Sequence, residues 1–136
     1  MTKFQALVEL LKTTKLDGVA LSQEPALRSR MAVLACELEA AKMLQRRVIV
    51  AALEGRVPTV EAAMCKLYST ELGRRIADCA MDALGPMALL RHAAEEAPAN
   101  GKWEHSYRAT VVDTIGGGSS EVQKNIIAHR GLGLPR

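Results

Sequence analysis

The chain has 136 residues, of which 49% are hydrophobic, 24% charged and only 3% aromatic, and its formal net charge is +3. This length suits one domain with its own core, and the shortage of aromatic residues favours packed helices over sheets. The 18 basic residues are spread along the chain among 15 acidic ones, without a basic stripe and interleaved aromatics, so nucleic-acid binding is not expected.

The first 24 residues predict a partial first helix followed by a linker. Phe4, Leu7, Val8 and Leu11 recur at helical spacing over residues 4–14. Residues 15–23 contain Asp-Gly and break that helix. Residues 1–9 have neither a basic segment leading into an apolar stretch nor a cleavage site, and no apolar segment is long enough to span a membrane. We therefore expect a cytoplasmic protein without a membrane anchor.

Two long helices are predicted next. A first apolar seam begins after Pro25 and consists of Leu27, Met31, Leu34, Leu38, Ala41, Gln45, Val48 and Ala52. A second seam follows Gly55 and Pro58, with Thr59 as the expected cap, and consists of Val60, Met64, Leu67, Glu71, Leu72, Ile76, Cys79 and Ala83. Gly85-Pro86 ends the second helix. Because a short turn joins the two helices, they must be antiparallel neighbours, as in an up-and-down helical bundle.

The segment near residues 87–101 predicts a surface loop, since it is irregular and ends in Pro-Ala-Asn-Gly. Helical spacing resumes with Trp103, Tyr107 and Val111 and leads to Thr114. The expected organisation of residues 1–136 is thus a single helical domain. Within it, residues 1–24 form the partial helix and linker, and residues 25–136 form the bundle.

Three consecutive glycines, residues 116–118, precede a predicted helix; we call them the glycine run. Ser120 and Gln123 have the spacing of a capping box, which places the helix start at Ser120. Glycines allow close approach of the backbone, and a helix N-terminus favours an anion. This pattern permits a phosphate or cofactor site, although such stretches are commonly only turns.

Other chemistry receives little support from the sequence. Cys36, Cys65 and Cys79 show no metal-ligand spacing, lie in apolar helical contexts and predict reduced core residues. The three histidines are widely spaced, so no metal site is expected. No cysteine or serine has a nearby base with an orienting acid, so no nucleophile is predicted either.

Positions 116–136 read Gly-Gly-Gly-Ser-Ser-Glu-Val-Gln-Lys-Asn-Ile-Ile-Ala-His-Arg-Gly-Leu-Gly-Leu-Pro-Arg. This ordered run closely resembles the closing signature of the acyl-CoA dehydrogenase family, Gly-Gly-Thr-Ser-Glu-Ile-Gln-Arg-Asn-Ile-Ile-Ala followed by an Arg and Leu-Gly-Leu-Pro. Residues 64–67 and 71–78 also look like the family, in the usual order before Leu84-Gly85-Pro86. The resemblance covers nearly the whole chain from about Pro25 onward.

The resemblance implies an all-α, four-helix bundle of the type found as the family's C-terminal domain. In the family this domain forms the oligomer core and contributes to the FAD site, partly that of a neighbouring subunit. Carried over by position, the expected cofactor-binding residues are Gly118, Ser119, Glu121, Gln123 and Gly85. The catalytic base of many members is a Glu whose matching position here is Gly117. The resemblance therefore implies no catalytic residue in this chain.

The implied function is that of the C-terminal domain, or a fragment, of an FAD-dependent acyl-CoA dehydrogenase. Such an enzyme oxidises an acyl-CoA thioester to the 2,3-enoyl-CoA and belongs to lipid metabolism. The family's other domains have no counterpart here, so the chain alone is expected to be inactive, to hold an incomplete FAD site and to meet acyl-CoA only within a complete enzyme. The alternative is a non-catalytic accessory or assembly subunit of a heteromeric enzyme. Either reading predicts a homo- or hetero-oligomer.

Overall fold

Residues 2–135 of the chain, described by a computed structural model, form a helical bundle; Met1 and Arg136 lie outside the described residues. The helices are α1 (Lys3–Thr13), α2 (Pro25–Leu53), α3 (Thr59–Leu84), α4 (Lys102–Ile115) and α5 (Ser120–Ile126). The predicted all-α bundle is confirmed. Helix α3 is its central element, since it contacts each of the other four helices.

Helix α1 supplies much of the core. Its start is fixed by a capping box, in which Thr2 and Gln5 bond to each other's backbone N–H groups. Leu7, Leu10 and Leu11 are buried in one cluster with residues of α2, α3 and α4. The predicted apolar face of this helix therefore packs against the bundle rather than facing solvent.

A small hairpin follows α1, where the sequence predicted only a break. Its strands are β1 (Lys15–Leu16) and β2 (Val19–Ala20), which pair antiparallel. Asp17 and Gly18 between them have φ angles of +50° and +82°. Two consecutive left-handed residues are characteristic of the tight turn that suits the twist of a hairpin, and Asp-Gly is a preferred pair for it.

Helices α2 and α3 are antiparallel, as predicted, and two ion pairs cross between them. Arg30 Nη1 lies 2.8 Å from Asp82 Oδ2, and Arg75 Nε lies 3.1 Å from Glu37 Oε2. The predicted cap of α3 is wrong, because Thr59 is the first residue of the helix and no side chain caps it.

The seam predicted along α2 is correct in the first half of the helix and shifts in the second. Leu34 and Ala41 are buried, whereas Gln45 and Ala52 are exposed and Ala51 is fully buried. Eighteen residues make about five turns of an α-helix, so Ala52 lies on the same side of α2 as Leu34, and Ala51 lies about 100° away from both. The buried face of α2 therefore moves around the helix towards its C-terminal end, which a single straight seam does not describe.

The remaining expectations on burial hold in part. Cys79 is buried and Cys65 half-buried, but Cys36 is exposed, so its assignment to the core is wrong. In α4, Trp103 is buried as expected. Ser106 and Thr110, rather than Tyr107 and Val111, complete the buried face, because the helix turns that side towards α3.

Short 3₁₀ turns, Gly85–Leu89 and Pro98–Gly101, flank the irregular stretch between α3 and α4. Ala88 and Gly101 in these turns are buried, so both ends of this stretch pack on the bundle. None of the described helices has the length and apolar character that crossing a membrane requires.

Candidate functional site

The glycine run forms the sharp connection between α4 and α5. Gly117 and Gly118 have φ angles of +71° and +99°, which residues with a side chain rarely adopt. The chain can therefore turn from Ile115, the last residue of α4, to the start of α5 within four residues.

The start of α5 at Ser120 is confirmed, but the residue that caps it is Ser119. Its Oγ accepts a hydrogen bond from the N–H of Val122 at 3.4 Å. The predicted capping box between Ser120 and Gln123 is therefore wrong. Two adjacent serines offered two registers for the cap, and the glycine run places Ser119 in the extended conformation that a cap requires.

Gln123 turns back onto the glycine run instead. Its side chain is buried, and Nε2 donates to the carbonyl oxygens of Gly117 at 3.1 Å and Gly118 at 3.4 Å. A Cβ atom at position 118 would lie 2.6 Å from this Nε2 atom. A side chain at position 118 would therefore displace this amide, whose donor groups are engaged within the chain.

Lys66 on α3 holds the same segment from the other side. Its Nζ donates to the carbonyl oxygen of Gly118 at 2.6 Å and to that of Thr114 at 3.4 Å. The sequence analysis did not identify this residue as part of the site. Lys66 and Gly118 are 52 positions apart, and no local pattern relates them.

A cleft of about 450 Å³, which we call the polar cleft, opens beside the start of α5. Its lining mixes hydroxyl groups with both signs of charge and consists of Glu71, Arg74, Arg75, Asp78, Thr114, Ser120, Glu121 and Lys124. A hydrogen bond from Ser119 is the main cause that holds the pKa of Glu121 below its usual range. The carboxyl of Glu121 is therefore charged near neutral pH and is a weak proton acceptor.

Four of the predicted cofactor-binding residues lie close together at the start of α5, and the fifth does not. Gly118, Ser119, Glu121 and Gln123 fall within six consecutive residues, but only Glu121 of the four lines the polar cleft. Gly85 instead ends α3, with an exposed backbone and a φ of +57°. Eighteen residues of α3 separate Lys66 from Leu84, about 27 Å along the helix axis. The two groups of residues therefore lie towards opposite ends of the bundle.

Within residues 2–135, no set of three or more His, Cys, Asp or Glu side chains is arranged to hold a metal ion. Glu121 and Asp78 of the polar cleft face arginine and lysine side chains that share its lining. Three acidic and three basic side chains balance in this lining, so the cleft offers hydrogen-bond donors and acceptors together rather than a set of carboxylates for a divalent cation.

Comparison with known proteins points to one family. The sequence profile described as acyl-CoA dehydrogenase, C-terminal domain, matches residues 1–132. The acyl-CoA dehydrogenase IpdE1 of Mycobacterium tuberculosis is 35% identical over 134 residues, which cover 96% of this chain and 31% of that protein. The chain thus spans about a third of the length of this relative.

Solved structures agree with the sequence comparison. A chain of the ChsE4–ChsE5 complex from Mycobacterium tuberculosis superposes with a TM-score of 0.84 at 30% identity, covering 98% of this chain and 35% of that one. A chain of the Tcur3481–Tcur3483 steroid acyl-CoA dehydrogenase gives a TM-score of 0.84 at 26% identity, covering 98% and 33%.

Proposed function

The chain belongs to the acyl-CoA dehydrogenase family, and we propose that it is the C-terminal helical domain of an FAD-dependent enzyme that oxidises an acyl-CoA thioester to the 2,3-enoyl-CoA. The observation that carries the proposal is the fixed glycine run, whose carbonyl groups are held by Lys66 and Gln123 beside the polar cleft. Because a buried and a half-buried side chain both hold this one turn, we infer that its conformation is important for function. We further propose a cytoplasmic location.

The residues of this end of the chain fit the polar part of FAD as one wall of a site. Ser120 offers a hydroxyl group, and Arg74 and Lys124 offer positive charge beside the first turn of α5. These donors suit a pyrophosphate. FAD, when bound, supplies the acceptor for the hydride that leaves the β-carbon of the thioester. In this proposal the chain's own residues bind and orient the cofactor.

The proton of the α-carbon must be taken by a group outside the glycine run. Gly117 stands at the position where many members carry the base, and it has no side chain to accept a proton. Asp113 and Glu121 are the nearest acids along the chain, each four residues away; Asp113 pairs with Lys3 at 3.5 Å, and the lowered pKa of Glu121 makes it a poor substitute. A complete enzyme therefore needs a base from another segment or another subunit.

Cofactor binding is tested by thermal unfolding of the purified chain with FAD, ADP and riboflavin. A ligand present at one hundred times its Kd stabilises the folded state by about 2.7 kcal/mol. We expect FAD and ADP to raise the unfolding temperature and riboflavin, which lacks phosphate, to leave it unchanged. Lys124→Gln should weaken the effect, whereas Lys15→Gln, on the hairpin, should not.

The variants are then compared in the complex that forms when this chain is co-expressed with the proteins encoded by neighbouring genes. The readouts are flavin content and bleaching of the flavin by a panel of acyl-CoA thioesters. If the assembled complex retains full flavin content when Lys124 and Ser120 are replaced by Gln and Ala, the polar cleft is not part of the cofactor site and the proposal is wrong.

A second candidate function is that of a non-catalytic accessory or assembly subunit, and the outer surfaces of the bundle favour it. The second half of α2 exposes Met43, Ile49, Val50 and Leu53, and α4 exposes Val111, Val112 and Ile115. Apolar side chains grouped on outward faces mark interaction surfaces. The ChsE4–ChsE5 and Tcur3481–Tcur3483 structures carry two-component names, in keeping with a partner chain.

Light scattering of the purified chain and of the co-expressed complex separates the possibilities. We expect an oligomer that Leu53→Lys or Val112→Lys disrupts, while Leu89→Lys, at an exposed site in the 3₁₀ turn after α3, leaves it intact. A monodisperse monomer that recruits no partner on co-expression contradicts the assembly role.

A further inference from the structure

A second polar pocket lies at the end of α4 that is remote from the glycine run. It has a volume of about 570 Å³, and its charged and titratable lining consists of Arg91, His92, Lys102, Glu104, His105 and Arg108. We call it the basic pocket. The 14 residues of α4 place its two ends about 20 Å apart, so the basic pocket is separate from the polar cleft.

Glu104 fixes two guanidinium groups at the edge of this pocket. Its side chain is only 10% exposed, and its two oxygens accept from Arg108 Nε at 2.6 Å and Nη2 at 3.0 Å. Arg91 Nε lies 3.3 Å from the first of these oxygens. The two arginine side chains are 72% and 55% exposed. Each guanidinium therefore keeps further N–H donors on its solvent side.

The charges in the lining do not cancel. Two arginines and Lys102 contribute three permanent positive charges, and Glu104 contributes one negative charge. The excess is two. Glu95 and Glu96 belong to the same loop but do not line the pocket. A dianion is the ligand that matches this excess.

The backbone around the pocket is held in a fixed shape. Ala99, Asn100 and Gly101 all have positive φ angles, and a Cβ atom at Gly101 would lie 2.7 Å from the carbonyl carbon of Arg91. Asn100 Oδ1, which can only accept, lies 2.5 Å from His92 Nδ1. Part of the lining is therefore held in place by hydrogen bonds before a ligand arrives, which reduces the entropy lost on binding.

We propose that the basic pocket binds a phosphoryl dianion, carried by free phosphate or by a nucleotide. Guanidinium groups present paired donors that match the oxygens of a phosphate, and Glu104 holds two of them in place. The basic pocket lies at the opposite end of α4 from the polar cleft, so this binding is separate from the proposed role in holding FAD.

The test is titration of the purified chain with inorganic phosphate and, separately, with ADP, followed by calorimetry and by amide NMR spectra. We expect saturable binding that shifts the amides of Asn100 and Gly101. Arg91→Gln should weaken it at least about tenfold, the usual effect of losing a charged hydrogen bond. Arg46→Gln removes the same charge from the exposed surface of α2 and serves as the matched control.

Lys102→Gln provides a second variant if Arg91→Gln loosens the loop, as judged by circular dichroism. Tighter binding of ADP than of phosphate, with the same dependence on Arg91, identifies a nucleotide; equal binding identifies free phosphate. Absence of saturation up to about 10 mM, or equal weakening by Arg46→Gln, overturns the proposal. If a variant loses the rise in unfolding temperature caused by FAD but still binds phosphate, the result bears on the polar cleft and not on the basic pocket.

Discussion

The role of Gly118 can be measured against its neighbour Gly117, because the two glycines share a backbone requirement and differ in packing. Both have positive φ angles, so replacement by Ala costs each about 1–2 kcal/mol in backbone strain. No atom lies within 4 Å of a Cβ at position 117, whereas a Cβ at position 118 meets Gln123 Nε2 at 2.6 Å. Only Gly118→Ala should therefore displace the glutamine.

Displacing that amide breaks two hydrogen bonds to the glycine run inside a buried site, which adds about 1–3 kcal/mol. We expect Gly118→Ala to lower the free energy of unfolding by about 2–5 kcal/mol and Gly117→Ala by about 1–2 kcal/mol. The assay is urea unfolding followed by circular dichroism, with the double variant Gly118→Ala/Gln123→Ala. In the double variant the two changes should be less than additive, because the clash is absent once the glutamine is gone.

Equal losses for Gly117→Ala and Gly118→Ala would refute this reasoning. So would full additivity of Gly118→Ala and Gln123→Ala. Either result would mean that the amide moves aside freely and does not shape the turn.

Three further predictions concern packing and charge. Lys66→Met removes the ammonium that holds the glycine run and should lower the free energy of unfolding by about 1–3 kcal/mol in urea unfolding. The pKa of Glu104 is held below its usual range, chiefly by the hydrogen bond from Arg108. The contribution of this carboxylate to stability is therefore present above about pH 4.3 and is lost as the pH falls through the lowered pKa. Glu104→Gln should accordingly flatten the acid side of a profile of stability against pH. Leu7→Ala should cost about 2–5 kcal/mol in the same unfolding assay, and Leu89→Ala, at an exposed site, less than about 0.5 kcal/mol.

Local signals in the sequence predicted most of the helices. Gly55, Gly85 and the last two residues of the glycine run have positive φ angles next to helix ends, a conformation that residue type predicts. The turn at Asp17-Gly18 carried the same kind of signal, and the short hairpin around it was missed. Strands of two residues contain too few side chains to show an alternating pattern.

Long-range contacts account for what the sequence did not predict. Lys66 reaches the glycine run across 52 positions, and Arg91 meets Glu104 only because the loop after α3 folds back onto α4. The partner of each of these side chains is a property of the folded chain.

The separation of Gly85 from the glycine run leads to a prediction about stoichiometry. If Gly85 and the glycine run both contact FAD, as the resemblance implies, their separation along α3, about 27 Å between Lys66 and Leu84, favours different cofactor molecules or sites shared with another subunit. In a homo-oligomer each chain then contributes to two equivalent sites, and flavin content should be one per chain. In a heteromer whose sites each need one copy of both subunits, the flavin content should be one per pair of chains.

Absorbance of the released flavin, measured against protein mass from light scattering, distinguishes these ratios. Full flavin content in a complex that keeps this chain monomeric and without a partner would contradict the shared site.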